Sequence, residues 1–271
     1  MPATDKPQSN EAHQLDLVRD RFTNTAKSFA DFALTQRFAE AERLAEIAIS
    51  DAQDTARWRA LDLACGPGTF ARSLARRVHF TVGLDLTPAM LICAQQAVEP
   101  VNSTAAFVCA DANRLPFAAG SFDATTCGYA IHHVMHPAQI LAELARVVRP
   151  GGRVAIVDII VRDESAREMN TRIEQARDPS HTETQRVDEF CALLEACGLR
   201  VRAKEIAESA RNFNHWMSVV NAAPSSPVYQ RTRELMEATL ADDAAGFHPR
   251  ISASGELEFA VTSLYIVAEK Q

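Results

Sequence analysis

The chain has 271 residues, 47% of them hydrophobic and 23% charged, with 28 Lys and Arg against 35 Asp and Glu for a formal net charge of −7. That composition belongs to an ordinary globular protein with enough residues for a large core, and it excludes collagen, coiled coil and wholesale disorder. The acidic balance argues against a protein that grips nucleic-acid backbone by counterion release, and no nucleic-acid partner is predicted.

The opening segment, residues 1–12, is polar and carries prolines, so fraying is expected there. It has no apolar h-region, which predicts no signal peptide, and no apolar run approaches the ~18 residues of a membrane span. The expectation is a soluble, cytoplasmic protein without a membrane span. Leu15, Val18 and Phe22, then Phe29, Phe32, Leu34, Phe38, Leu44 and Ile47, recur at three- and four-residue spacing and predict an N-terminal helical cap over about 1–50. From 58 to 160 short apolar runs alternate with amphipathic stretches. Strands are predicted at 60–64, 81–86, 106–110, 122–127 and 153–158, with helices at 69–77, 88–98 and 137–149. The last helix stops at Pro150-Gly151-Gly152. This alternation predicts an α/β fold, a doubly wound, mostly parallel sheet with helices on both faces. Beyond 160 a polar stretch, 162–186, precedes a helix at about 187–197. A strand follows at about 199–207, then an insertion over 208–250 and a closing strand at 257–267. One domain spanning 1–271 is the simplest division. The six cysteines form no C-x-x-C pair and read as buried, reduced thiols, with Cys109 in Phe107-Val108-Cys109-Ala110 as an example.

The densest chemical signal is Leu61-Asp62-Leu63-Ala64-Cys65-Gly66-Pro67-Gly68-Thr69, a strand entering a tight turn and then a helix. Gly66 and Gly68 stand where a Cβ is not tolerated, either for positive φ or because a ligand lies against the backbone. Alone, Gly66-Pro67-Gly68-Thr69-Phe70-Ala71 also fits a dinucleotide fingerprint. Three carboxylates weigh against that. Asp85, ending the second strand, can accept hydrogen bonds from two ribose hydroxyls. Asp62 would repel a pyrophosphate but favour an ammonium or sulfonium. Asp111 can accept from the exocyclic amine of an adenine. Together they suit a cationic adenosyl ligand, although any one of them could simply end a strand or cap a helix.

These residues make the sequence similar to class I S-adenosylmethionine-dependent methyltransferases over about 58–160. Leu61 to Gly68 resembles the family's first motif, with Ala64 where glycine is commoner. Gly83-Leu84-Asp85-Leu86-Thr87-Pro88-Ala89-Met90 resembles the ribose-binding strand end, and Asp111-Ala112-Asn113 the adenine-side motif. Ser121-Phe122-Asp123-Ala124 and Arg146 to Gly152 resemble the small-molecule branch, which includes ubiquinone/menaquinone-type C-methyltransferases. The resemblance implies a Rossmann-like, seven-stranded sheet with its last strand antiparallel and a helical insertion before that strand. It implies S-adenosyl-L-methionine as cofactor, held by Phe29, Asp62, Ala64, Gly66, Gly68, Asp85, Leu86, Met90, Asp111, Ala112 and Cys127. The partner it implies is a small, fairly apolar methyl acceptor taking the group at O, C or N.

A base is sought among histidines, which titrate near neutrality. His132 and His133 follow the fourth strand, and His181 sits in Arg177-Asp178-Pro179-Ser180-His181, where such enzymes build an acceptor pocket. Each also has a structural alternative as a backbone-bonding side chain. The adjacent pair lacks a third ligand at a convincing spacing, so no metal is predicted. Cys127 reads as a small buried strand residue rather than a nucleophile. Phe213, His215, Trp216 and Met217 either line an apolar pocket or pack the cap. Arg21 and Lys27 read as a solvated helix face. Two other functions fit the same turn: an S-adenosylmethionine-binding protein that does not methylate, such as a cyclase, and an NAD(P)-dependent oxidoreductase.

Overall fold

Three helices open the chain in the computed structural model, which describes residues 6–98 and 104–271: α1 (Lys6–Asn24), α2 (Ala26–Gln36) and α3 (Phe38–Ala48). The segment expected to fray is therefore helical from Lys6 on, while residues 1–5 lie outside the described residues. Helix α3 buries Ala41, Leu44, Ala45 and Ala48, one stripe of a 3.6-residue period.

The alternating region folds as the sequence pattern predicts. It runs β1 (Arg59–Leu63), α4 (Thr69–Ala75), β2 (Phe80–Asp85), α5 (Pro88–Val98), β3 (Ala105–Cys109), β4 (Phe122–Gly128), α6 (Pro137–Val147) and β5 (Val148–Ile159). Then come α7 (Glu164–Arg177), α8 (Val187–Ala196), β6 (Leu199–Asn212), α9 (Phe213–Ser218), α10 (Pro227–Glu237), β7 (Arg250–Ile251) and β8 (Leu257–Lys270). The strands lie in the order β3-β2-β1-β4-β5-β8-β6, with the two-residue β7 added against β8. Strands β1 to β5 pair in parallel, and β8 inserts antiparallel between β5 and β6. This is the doubly wound, mostly parallel sheet with an antiparallel last strand.

Side chains alternate across the sheet. Leu61, Leu63, Val154 and Ile156 pack with Ile140, Leu141 and Leu144 of α6 and with Phe190 and Leu194 of α8. On the other face Ala155 and Val157 meet Leu44 of α3 and Phe70 of α4. Burial on both faces explains why the strands read as continuous apolar runs. The chain winds outward from β1 to β3, then returns to place β4 on the other side of β1. The carboxyl ends of β1 and β4 thus flank a topological switch point, where open α/β sheets leave a ligand crevice.

Past residue 160 the strand expected at about 199–207 runs on to Asn212, while the helical insertion is present as expected. The polar stretch 162–186 holds the 14-residue helix α7. Its inner face buries Arg167, Asn170 and Glu174 beside Ile173, and the first two are hydrogen-bonded. Arg167 bonds Glu164 and Glu189, while Asn170 donates to the Ala245 carbonyl and accepts from Thr184 Oγ1. The insertion contains α10, which begins with Ser226 Oγ accepting the Tyr229 N–H and Pro227 in the first turn. Helices α7, α9 and α10 pack around Phe213, Met217, Tyr229, Met236 and Phe259 as a second apolar cluster. The thiol expectation is corrected as well: Cys65 and Cys127 are buried, whereas Cys109 is exposed at the end of β3.

Candidate active site

After β1 the backbone turns left-handed at Ala64 (φ 51°), Gly66 (φ 51°) and Gly68 (φ 82°) before entering α4. The two glycines serve different ends. Gly66 lies on the wall of a cavity of about 1210 Å³ and donates its N–H to Asp85 Oδ2 at 2.8 Å. Gly68 is not on that wall; a Cβ there would stand 3.0 Å from the Ala94 Cβ of α5. The close approach expected between Gly68 and a ligand is thus an approach between two helices.

The cavity occupies the switch-point crevice. Phe29, Ala64, Gly66, Asp85, Leu86, Met90, Asp111, Ala112 and Cys127, all cofactor candidates from the sequence, line it. Helix α1 closes it from above with Gln14, Leu15, Val18 and Phe22. Asp85 accepts the Gly66 and Thr87 N–H groups, one on each oxygen, and burial raises its pKa. Asp111 Oδ1 accepts from Asn113, while its other oxygen makes no hydrogen bond among the described residues. Asp62, like Gly68, stands off the cavity wall. One of its oxygens accepts from Thr126 Oγ1 at 2.8 Å, the other is buried without a partner, and burial pushes its pKa up to about 7. Such a site fits a cationic nucleoside. It offers carboxylates for a ribose and an amine, apolar walls for a base, and a buried acid whose ionisation a nearby positive charge would favour. Burial holds the Cys127 thiol well above its ordinary pKa, so it is an uncharged wall residue.

The three histidines converge, with ring centroids 4.2 Å apart for His132 and His133 and 5.3 Å for His132 and His181. Their environments differ. His133 shares its Nδ1 with the Ser180 carbonyl and hydroxyl, stacks edge-on against Phe22, and is pushed by burial and by His132 to a pKa of about 4. His181 is buried, bonds Thr184 Oγ1 through Nε2, and has its pKa pushed far down by burial. Both are neutral at pH 7. His132 faces Asp158, with 2.5 Å between Nδ1 and Oδ1. Burial disfavours the charged ring, but the Asp158 charge and hydrogen bond outweigh it and raise the pKa. Asp158 is itself fixed by the Ile131 and Ile159 N–H groups. His132 Nε2 makes no hydrogen bond among the described residues. Among those residues no group of three or more His, Cys, Asp or Glu is placed to hold a metal ion.

His132 and His181 line a second cavity of about 790 Å³, and Phe22, Phe29, Arg37, Tyr129 and His133 line both cavities. Tyr129 is left-handed (φ 55°), a costly conformation for an aromatic residue. It is held by Arg37, whose guanidinium carbon lies 3.4 Å from the ring centroid. Arg21 does not belong to a solvated face: it is buried and pairs with Asp178 at 2.8 Å, whereas Lys27 is exposed. The insertion residues divide. Phe213 and Met217 pack the second apolar cluster, while His215 and Trp216 also reach the second cavity. Sequence reasoning missed Arg37, Tyr129, Asp158, Glu174, Arg177 and Arg211. Asp158 carried a readable signal, a carboxylate ending the fifth strand as Asp85 ends the second.

A Rossmann-like sheet with a carboxylate-edged crevice at its switch point, sharing a wall with a second cavity, fits the class I S-adenosylmethionine-dependent methyltransferase architecture. The chain belongs to that methyltransferase family. Residues 61–156 match the family described as methyltransferase domain. The uncharacterized methyltransferase YcgJ of Bacillus subtilis is 32% identical over 177 residues, covering 65% of this chain and 68% of its own. Its crystal structure superimposes with a TM-score of 0.75 at 25% identity, over 84% of this chain and 98% of that one. Methyltransferase GfsG of Streptomyces halstedii is 33% identical over 209 residues, covering 72% of this chain and 73% of its own. A demethylmenaquinone methyltransferase of Clavibacter sepedonicus is 39% identical over 100 residues, 37% of this chain and 40% of its own. The methyltransferase reading of the sequence therefore stands. No helix among the described residues is long and apolar enough to cross a membrane.

Proposed function

We propose that the chain transfers a methyl group to a small molecule seated in the second cavity, from S-adenosylmethionine held in the first, with His132 as general base. The observation that carries the reading is the shared wall: two cavities meet at Phe22, Phe29, Arg37, Tyr129 and His133, and the Asp158–His132 pair faces the second. When bound, the cofactor supplies a methyl group already activated on a sulfonium. The protein is left to position, shield and deprotonate. Asp85 accepts from ribose hydroxyls, Asp111 from the adenine amine, and Leu86, Met90 and Ala112 pack the base. Arg37, over the Tyr129 ring in the shared wall, suits the methionine carboxylate. Phe29 closes the cavity over Gly66, whose missing Cβ would lie 3.7 Å from its ring.

At the acceptor, Asp158 fixes the imidazole with Nδ1–H donated to its carboxylate, leaving Nε2 as the acceptor for a proton. Nε2 would take the proton that an acceptor hydroxyl or amine gives up, and Asp158 would stabilise the imidazolium so formed. His133 and His181, neutral and hydrogen-bonded, hold the ring in place. One domain serves both halves of the reaction, since a single sheet runs from residue 59 to 270.

Mass spectrometric detection of S-adenosylhomocysteine formed with a library of phenols, alcohols and amines tests the activity. His132→Asn is expected to lower kcat by about 10²–10⁴ while leaving cofactor affinity unchanged. Equal turnover by the variant removes His132 as base. A protein that binds the cofactor but forms no product with any acceptor would favour the non-methylating alternative.

A further inference from the structure

Beyond Arg37, the second cavity carries charge that methyl transfer itself does not use. Arg21, Arg37, Arg177 and Arg211 line it, against two carboxylates, Glu174 and Asp178. Asp178 is already engaged, with Oδ2 accepting from Arg21 Nε and Oδ1 from the Ser180 N–H and hydroxyl. Glu40, which is not among the lining residues, takes one nitrogen from Arg37 at 3.1 Å and one from Arg211 at 3.4 Å.

Arg177 is different. Its guanidinium lies 4.3 Å over the Trp216 ring, and its side chain is 12% exposed. Its Nε reaches the Trp216 carbonyl at 3.4 Å, and the nearest carboxylate oxygen, on Glu174, is 3.6 Å from Nη1, beyond a hydrogen bond. Among the described residues its two terminal nitrogens make no hydrogen bond. Burial lowers the Arg177 pKa and raises that of Glu174, so neither charge is fully compensated by the other. A guanidinium held over an indole, mostly out of water, with no hydrogen bond at its fork, lacks the planar acceptor that its geometry fits. Arg177 and Arg211 line the second cavity only, so the missing partner lies on the acceptor side.

We propose that the methyl acceptor carries an oxyanion, a carboxylate or phosphate, which docks on the Arg177 fork. This rests on the reading of the second cavity as the acceptor site. The acceptor's apolar or aromatic body lies against Phe29 and Phe32, and its nucleophilic atom faces His132. A fairly apolar acceptor is thereby given a charged handle that sets its orientation. Neutral analogues of the same shape leave Arg177 unfilled and bind weakly.

The test uses the full chain saturated with S-adenosylhomocysteine and titrated calorimetrically with 4-hydroxybenzoate, phenyl phosphate and neutral 4-hydroxybenzamide. At least one anion is expected to bind tenfold or more tighter than the amide, and the tighter of the two identifies the oxyanion. Arg177→Met is expected to weaken that anion tenfold or more without moving the amide or S-adenosylhomocysteine affinities. Arg177→Lys, which keeps the charge and loses the fork, is expected to fall between. An unchanged S-adenosylhomocysteine affinity shows that each variant is folded. The proposal is overturned if neither anion exceeds the amide, or if the preference survives Arg177→Met. Failure of the wild type to bind S-adenosylhomocysteine counts instead against the cofactor site, and the anion titration on the same protein still decides the proposal.

Discussion

Replacing Asp85 by alanine separates cofactor recognition from folding. The carboxylate does two jobs: it accepts the Gly66 and Thr87 N–H groups at 2.8 Å each, and it edges the first cavity where a ribose would lie. Two hydroxyls donated to an ionised oxygen pair are worth about 1.5–3 kcal/mol each. Losing both costs about 3–6 kcal/mol, or on the order of 10²–10⁴ in Kd. The fold loses less. The freed Gly66 N–H borders a cavity that water can enter, the Thr87 N–H is buried, and removing a buried charge offsets part of the loss, leaving about 1–2 kcal/mol. At this chain length that is a melting shift of roughly 2–8 °C. Calorimetric titration with S-adenosylhomocysteine reads the first number and thermal melting the second. Because burial raises the Asp85 pKa, wild-type affinity should fall as pH is lowered through that raised value, and the variant should lose the dependence. A variant Kd within threefold of wild type, with the melting shift present, would refute the ribose assignment.

Two further substitutions address the motif turn. Asp62 binds its proton more tightly folded than unfolded, since burial moves its pKa from 3.8 to about 7. It therefore costs the cofactor-free protein stability as pH rises between those values, on the order of 4 kcal/mol by pH 8. Asp62→Asn should flatten the stability profile from pH 4 to 8 in urea melts, and a slope equal to wild type would show that the acid does not titrate there. Ala64 is left-handed without being glycine, which costs about 1–2 kcal/mol. Ala64→Gly should recover up to about 1 kcal/mol after the added entropy of the unfolded chain. A lower melting temperature would contradict that account.

Much of the cofactor half was legible because its signals are local. Short apolar runs mark the strands, and amphipathic stretches the helices, between 59 and 159. The glycine turn, Asp85 and Asp111 sit at strand ends, where chain order alone puts them on one sheet edge. Helix α7 was hidden for a physical reason. Its buried stripe is Arg167, Asn170, Ile173 and Glu174, and ion pairs and amide bonds satisfy groups that hydropathy scores as solvent-facing. Arg21 was misread for the same reason, since its partner Asp178 lies 157 residues away. Nor does sequence spacing tell Gly66, which faces the cavity, from Gly68, which faces Ala94.

The amino-acid sequence by itself determined the order of strands and helices along the chain, the glycine turn and the carboxylates at the sheet's edge. Each of these follows from near-neighbour periodicity, turn chemistry and the winding rule for parallel strands. Only the tertiary structure decided which histidine faces a carboxylate and which are locked as neutral supports. It also decided that guanidiniums from α1, the α2–α3 junction, α7 and β6 meet in one cavity. Such meetings depend on long-range closure of the sheet and its cap, and a polar side chain's worth is set by the partner that closure brings to it.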